Sequence, residues 1–178
     1  EDLIIGQDGD GDGTDDPLPY GCFVLSDSAV FEVGGDLILG DMGGSGAFAQ
    51  SGESELMING ALRIGTQSEY EDENLWSKGG YVQESGTATV HGNLIMGESA
   101  STIGLYLMEG GILDVFGNEH IGNQGTGILD SEGSVIQAGG SFTQTGGTHT
   151  VGAGDVFSNL VLGSQAGSQG EYILGTEP

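Results

Sequence analysis

The chain has almost no positive charge: 2 Lys+Arg stand against 27 Asp+Glu in 178 residues, a formal net charge of −25. Binding to nucleic acid or attraction to an anionic membrane needs a basic face, so this balance rules out most of both. Cysteine is nearly absent too. A single Cys22 cannot close an internal disulfide, which leaves stacking, metal or contacts between chains to hold the fold. In Cys22-Phe23-Val24-Leu25 that thiol reads either as a small buried hydrophobe or as half of a bond between chains. Proline occurs 3 times, and the 37 glycines follow no three-residue period, which excludes a collagen-like fibre. No apolar run approaches the roughly 18 residues of a membrane-spanning helix. No signal peptide is visible, and the start at Glu1 reads as that of a processed or excerpted chain.

What is present is a recurring phrase, a short apolar stretch closed by glycine. It appears as Asp2-Leu3-Ile4-Ile5-Gly6, Asp36-Leu37-Ile38-Leu39-Gly40, Ala61-Leu62-Arg63-Ile64-Gly65, Asn93-Leu94-Ile95-Met96-Gly97, Asn118-Glu119-His120-Ile121-Gly122 and Asn159-Leu160-Val161-Leu162-Gly163. A self-similar unit of a few tens of residues buries its apolar face by stacking on its neighbours, so the phrase predicts a solenoid. Each unit adds two further strand-like pieces. The second carries a large apolar residue: Phe23, Phe48, Tyr81, Tyr106, Ile128, Phe142 and Tyr172. The third ends in a β-branched residue before a glycine-rich corner, as in Phe31-Glu32-Val33-Gly34 and Leu113-Asp114-Val115-Phe116. The expected fold is therefore all-β: one domain over 1–178, a single-stranded, three-faced β-solenoid of about six to seven irregular coils with insertions at the corners.

Side chains alternate faces along a strand, which assigns the interior. Leu3 and Ile5, Leu37 and Leu39, Leu62 and Ile64, Leu94 and Met96, and Leu160 and Leu162 point in, as do Phe31 and Val33, Leu56 and Ile58, Ala88 and Val90, and Leu113 and Val115. Between the first set, Ile4, Ile38, Arg63, Ile95, His120 and Val161 point out. So apolar an outward row is either covered by the chain's own loops or forms a lateral contact surface. Insertions are expected at 7–19 and 66–78. Around 128–140 the order is irregular, which predicts an incomplete or distorted coil. Glu119 falls where an inward apolar residue belongs, which predicts a bulge or a buried hydrogen bond there.

Asn118-Glu119-His120-Ile121-Gly122-Asn123-Gln124-Gly125-Thr126-Gly127 and Ser141-Phe142-Thr143-Gln144-Thr145-Gly146-Gly147-Thr148-His149-Thr150-Val151 resemble the glycine-rich repeats of large secreted bacterial surface proteins of the autotransporter-passenger and exported-repeat type. The resemblance covers most of the chain in degenerate form. It implies an extracellular β-solenoid, with a cell surface or polysaccharide as its outside contact.

The first insertion holds Asp8-Gly9-Asp10-Gly11-Asp12-Gly13-Thr14-Asp15-Asp16. Acids at alternate positions with glycine at the sixth let a tight turn aim Asp8, Asp10 and Asp12 at one hard cation, with the Thr14 carbonyl and Asp16 completing the sphere. Many flexible carboxylates suit Ca²⁺ better than Mg²⁺. The loop resembles those of EF-hands, dockerins and thrombospondin type 3 repeats. It departs from the EF-hand at the twelfth position, where Pro19 replaces the bidentate glutamate. The second insertion carries Glu69-Tyr70-Glu71-Asp72-Glu73, whose spacing matches no cage and reads as a solvated charge run. Two stacked carboxylates about 4.8 Å apart in water repel by about 0.9 kcal/mol, so divalent cations should favour compaction and chain-to-chain stacking.

No catalytic site is expected. Lyase chemistry on acidic polysaccharides, the natural activity for a secreted β-helix, needs a cation-rich groove, and only Arg63 and Lys78 are on offer. His91, His120 and His149 occupy different places in the unit, so no shared metal site is expected; His149 reads as a packed, hydrogen-bonded core residue. Thr87-Ala88-Thr89 and Thr148-His149-Thr150 are isolated, unlike the regular threonine array of an ice-binding face. The chain opens on a first-face strand and closes after a second-face strand without caps, which predicts head-to-tail self-assembly into a filament or surface fibre. A spacer segment of an adhesin or passenger stalk is the alternative.

Overall fold

The structure is a computed structural model that describes residues 1–7, 20–66, 77–99, 102–123, 128–129, 135–136, 139–154, 157–165 and 168–175. Its strands are short because glycine-rich corners interrupt the apolar pieces every few residues. The chain lays down β1 (Leu3–Gln7), β2 (Tyr20–Leu25) and β3 (Val30–Val33), then β4 (Leu37–Asp41), β5 (Ser45–Gln50) and β6 (Glu55–Ile58). Next come β7 (Leu62–Ile64), β8 (Ser77–Gln83) and β9 (Thr87–Val90), then β10 (Leu94–Met96), β11 (Thr102–Met108) and β12 (Ile112–Val115). After β13 (Glu119–Ile121) and a small hairpin, β14 (Ile128–Leu129) with β15 (Val135–Ile136), follow β16 (Gly139–Gln144), β17 (Thr148–Val151), β18 (Leu160–Leu162) and β19 (Gln169–Leu174). The described residues contain no helix.

Seventeen of these strands form three parallel sheets: β1-β4-β7-β10-β13-β18, β2-β5-β8-β11-β16-β19 and β3-β6-β9-β12-β17. Each strand thus pairs with the one laid down roughly a full unit earlier, and the other two sheets serve as the crossover that parallel pairing requires. This arrangement is typical of a parallel β-helix. Register follows the phrase: Leu3 pairs with Leu37, Leu37 with Leu62, and Leu62 with Leu94. Leu37, Leu39, Leu62, Ile64, Leu94 and Met96 are fully buried, and so are Ile58, Ala88, Val90, Leu113 and Val115 on the third sheet. Inward and outward alternation therefore holds through both sheets.

Several expectations are corrected. The insertions are narrower than 7–19 and 66–78: Gln7 belongs to β1, Ser77 and Lys78 belong to β8, and Thr66 is buried. Ile128 is not a second-sheet residue; it pairs antiparallel with Ile136 in the hairpin, and the second sheet continues at Phe142. The irregular stretch is therefore an insertion between intact strands, because β13 pairs in register with both β10 and β18. Cys22 is exposed, since Phe23 takes the inward place beside it. Leu160 and Leu162 are 44% and 46% exposed, because no strand pairs with β18 on its far side among the described residues.

Candidate functional site

The predicted calcium ligands Asp8, Asp10, Asp12, Thr14 and Asp16, and the acidic run Glu69 to Glu73, lie outside the described residues. Among the described residues no group of three or more His, Cys, Asp or Glu is placed to hold a metal ion. What the described residues contain instead is a set of side-chain ladders running along the stack.

The first ladder explains the closing glycine. Gly6, Gly40, Gly65, Gly97, Gly122 and Gly163 all have φ between +60° and +71°, the left-handed region that side chains resist. Space is also short. A β-carbon on Gly40 would sit 2.1 Å from the Lys78 carbonyl oxygen, and one on Gly46 would sit 2.0 Å from that of Ile5. The corner between the first and second sheets is a place where backbone meets backbone.

A second ladder stands at the corner before the first sheet. Asp2 Oδ1 accepts the backbone N–H of Asp36 at 2.8 Å, and Asp36 Oδ1 accepts that of Ala61 at 2.7 Å. Asn93 Oδ1 accepts from Asn118 at 2.8 Å, and Asn118 Oδ1 from Asn159 at 2.9 Å. Ala61, with no side-chain oxygen, interrupts the series.

The third ladder is aromatic. Phe23, Phe48, Tyr81, Tyr106, Phe142 and Tyr172 stack along the second sheet with centroid separations of 5.2, 5.0, 4.6, 4.7 and 4.9 Å. Whether a ring carries a hydroxyl follows the residue two places along the preceding strand. Tyr81 donates to Gln50 Oε1 at 2.6 Å, Tyr106 to Gln83 Oε1 at 2.7 Å and Tyr172 to Gln144 Oε1 at 2.8 Å. Where that position is Leu25 or Met108, the next ring is Phe48 or Phe142. Each glutamine amide also ties the next corner; Gln83 Nε2 donates to the carbonyls of Gly86 and Ile112. The pairs satisfy polar groups that burial would otherwise penalise. The sequence pattern singles out the aromatics but not this pairing, although both halves stand in it at a fixed spacing.

Glu119 is fully buried and makes the hydrogen bond expected of it without a bulge. Its Oε1 lies 2.5 Å from His149 Nε2, and His149 Nδ1 lies 2.8 Å from the Tyr172 hydroxyl, which donates onward to Gln144. With that donation fixed, Nδ1–H donates to the tyrosine oxygen. The pair therefore shares one further proton, held on Glu119 or on Nε2, and is neutral overall either way. His149 also stacks on Phe142 at 4.6 Å. Burial, with the Glu119 charge adding, pushes the Tyr172 hydroxyl up to about 12. Tyr106 is held well above the ordinary tyrosine range, by burial first. Glu119 comes from the first sheet, His149 from the third, and Tyr172 and Gln144 from the second; the Glu119 and His149 side chains are buried, and Tyr172 and Gln144 are half-buried.

On the outside of the first sheet, Arg63 Nη2 bonds Glu98 Oε1 at 2.7 Å and its Nε lies 3.9 Å from Asp36 Oδ2. Partial burial raises the Glu98 carboxyl above its usual range, Arg63 opposes this, and Asp41 and Asp36 add to it. The apolar members of that outward row are half-buried, apart from Ile4, 38% exposed. At the far end of the stack the aliphatic columns stand open: besides Leu160 and Leu162, Leu174 is 74% exposed, whereas Met108, two strands earlier in its column, is fully buried. Comparison with protein-family models, curated proteins and solved structures returned no match for this chain.

Proposed function

We propose that this chain is an extracellular structural protein, a calcium-stabilised three-faced β-solenoid whose copies stack end to end into a filament or surface fibre. The observation that carries this reading is the repetition of apolar columns through three parallel sheets, in which each strand seats on the equivalent strand of the preceding unit. Leu160, Leu162 and Leu174 occupy places that earlier strands bury, and the first strands offer the matching pattern. Leu3 and Ile5 would seat on Leu160 and Leu162, Phe23 on Tyr172, and Leu25 on Leu174. The same docking continues the corner ladder, with Asn159 Oδ1 accepting the Asp2 N–H. Covering a fully exposed leucine contributes about 2 kcal/mol, so these three, about half to three-quarters exposed, supply about 3 kcal/mol against an association cost of several. The remainder must come from the strand hydrogen bonds and from relief of charge repulsion.

Calcium enters at that last point. In this reading Asp8, Asp10, Asp12, the Thr14 carbonyl and Asp16 hold Ca²⁺ in the connection from β1 to β2, lowering a net charge of −25 that opposes stacking. The extracellular setting rests on the resemblance of the repeats. No catalysis is assigned: Arg63, one of the chain's two fixed cations, is engaged with Glu98 and Asp36 and does not offer a uronate its charge.

The test is electron microscopy with light scattering on the chain alone, in calcium and in chelator. Filaments in calcium that shorten or vanish in chelator are expected, and Leu162→Asp should leave a folded protein that no longer elongates. Monomers at high protein concentration in calcium would overturn end-to-end stacking and leave a spacer segment of a longer surface protein. Unchanged filaments in Asp10→Ala with Asp12→Ala would remove the metal from the account.

A further inference from the structure

The second sheet differs from the rest of this acidic chain. Of the 27 carboxylates, none lies in β2, β5, β8, β11 or β16, and only Glu171 lies in β19. Apart from Tyr20 and Lys78 where the strands begin, and Gln169 and Glu171 in β19, the outward side chains of the sheet are small or apolar: Val24 is 64% exposed, Leu105 51% and Ile173 40%, with Val82, Leu107 and Thr143 half-buried between them. Leu105 stands proud because its register partners on either side are Gly80 and Ser141. Over Gly80 the space is empty, since a β-carbon there would meet nothing within 4 Å. Knob and hollow border a shallow apolar groove of about 360 Å³.

We propose that this face pairs with the same face of a second copy, about a two-fold axis that lies parallel to the strands between β8 and β11. Such an axis places β8 of one copy over β11 of the other. Because Gly80 and Leu105 are register partners, each Leu105 then enters the opposite Gly80 hollow, Val82 meets Leu107 and Ala49 meets Thr143. Residue i touches j and j touches i, as an isologous contact requires. A second copy is the occupant that the charge favours. Two chains of −25 each repel wherever carboxylates face one another, and on this sheet they can meet without opposing any carboxylates except at its Glu171 margin.

With strands about 4.8 Å apart and about 3.3 Å per residue, six strands offer roughly 500 Å² per copy. The pair therefore buries about 1,000 Å², the lower limit for a specific interface, so the dimer is weak and reversible. Its response to salt is distinctive. No ion pair spans the contact and the copies repel, so added salt strengthens association, the reverse of a salt-bridged interface.

Sedimentation velocity on the whole chain tests this. In the Leu162→Asp chain, which does not grow end to end, a species that closes at two copies is expected, with its dissociation constant falling several-fold from 50 to 500 mM NaCl. Leu105→Glu and Gly80→Leu should each weaken pairing at least tenfold, while far-ultraviolet circular dichroism and thermal melting stay near those of the parent because both side chains face solvent. Leu162→Asp, which removes end-to-end growth, should leave the dimer intact, so failure of one contact is distinguishable from failure of the other. A monomer across the concentration range, pairing that weakens with salt, or parent-like association in both face variants would overturn the proposal.

Discussion

A buried ring in this protein carries a hydroxyl only where the strand before it supplies a glutamine. Tyr106 over Gln83 and Phe142 over Met108 are the two solutions of one packing problem, because an unmet amide oxygen in the interior costs about 1–3 kcal/mol. Tyr106→Phe should therefore destabilise the fold by about that amount, and adding Gln83→Met should recover part of it; a double-mutant cycle by chemical denaturation reads the coupling. The same burial sets an alkaline limit. An unfolded tyrosine titrates near 10, whereas Tyr172 in the fold titrates at about 12 and Tyr106 well above the ordinary value. A group whose pKa is raised by folding contributes fully below its unfolded pKa and loses that contribution as pH rises through the folded value. The denaturation midpoint should thus begin to fall above pH 10 and keep falling to about pH 12. Tyr172→Phe should reduce the slope in that window.

At the scale of the strand and its corner, one residue of each phrase is dictated by backbone geometry and another by the corner ladder. Gly65 has φ +67° and a would-be β-carbon 2.3 Å from the Ile103 carbonyl oxygen. Gly65→Ala should lower stability by about 1–3 kcal/mol for the conformation alone, and further for the forced shift of β11. Ala61 is the opposite case, a place where the chain falls short of its own pattern. Ala61→Asn supplies an oxygen for the next backbone N–H, as Asn93 does for Asn118, and should raise stability by about 1 kcal/mol, read as an increase in Tm. The phrase and its corners are legible in the sequence, since a positive-φ corner demands a glycine and an inward pair leaves two aliphatics one residue apart. The hairpin β14–β15 is not, because Ile128 has the size and spacing of an inward residue and only its antiparallel partner reveals otherwise. The glutamines are hidden for a related reason: a polar residue at an inward position declares its role only when the next layer is placed on it.

For the whole molecule, charge is the largest influence that no single contact describes. Glu98 holds its proton more readily in the fold than free glutamate does, so its contribution is present at low pH and is lost as pH rises. The net charge acts in the same direction. Stability in the absence of divalent ions should therefore increase as pH is lowered from 7 towards 5, and added salt at pH 7 should have the same sign; thermal melts across pH and NaCl concentration measure both. A stability maximum at neutral pH in low salt would show that repulsion among the carboxylates is not what limits this fold.

The order of residues alone determined the repeating unit, the three-sheet parallel architecture and the inward aliphatic columns, because these follow from alternation along a strand and from glycine at the corners. Glu119 was legible as an exception and His149 as an inward residue, but nothing in their spacing of thirty positions declares that they meet. That contact exists only because stacking brings successive units within a few ångströms. For the same reason the tertiary structure alone decided that Cys22 faces out, that the rings form one column with paired glutamines, and that the second sheet presents a face whose strands carry a single acid, Glu171. Local patterns fix which way a side chain points; only the pairing of distant strands fixes what it points at.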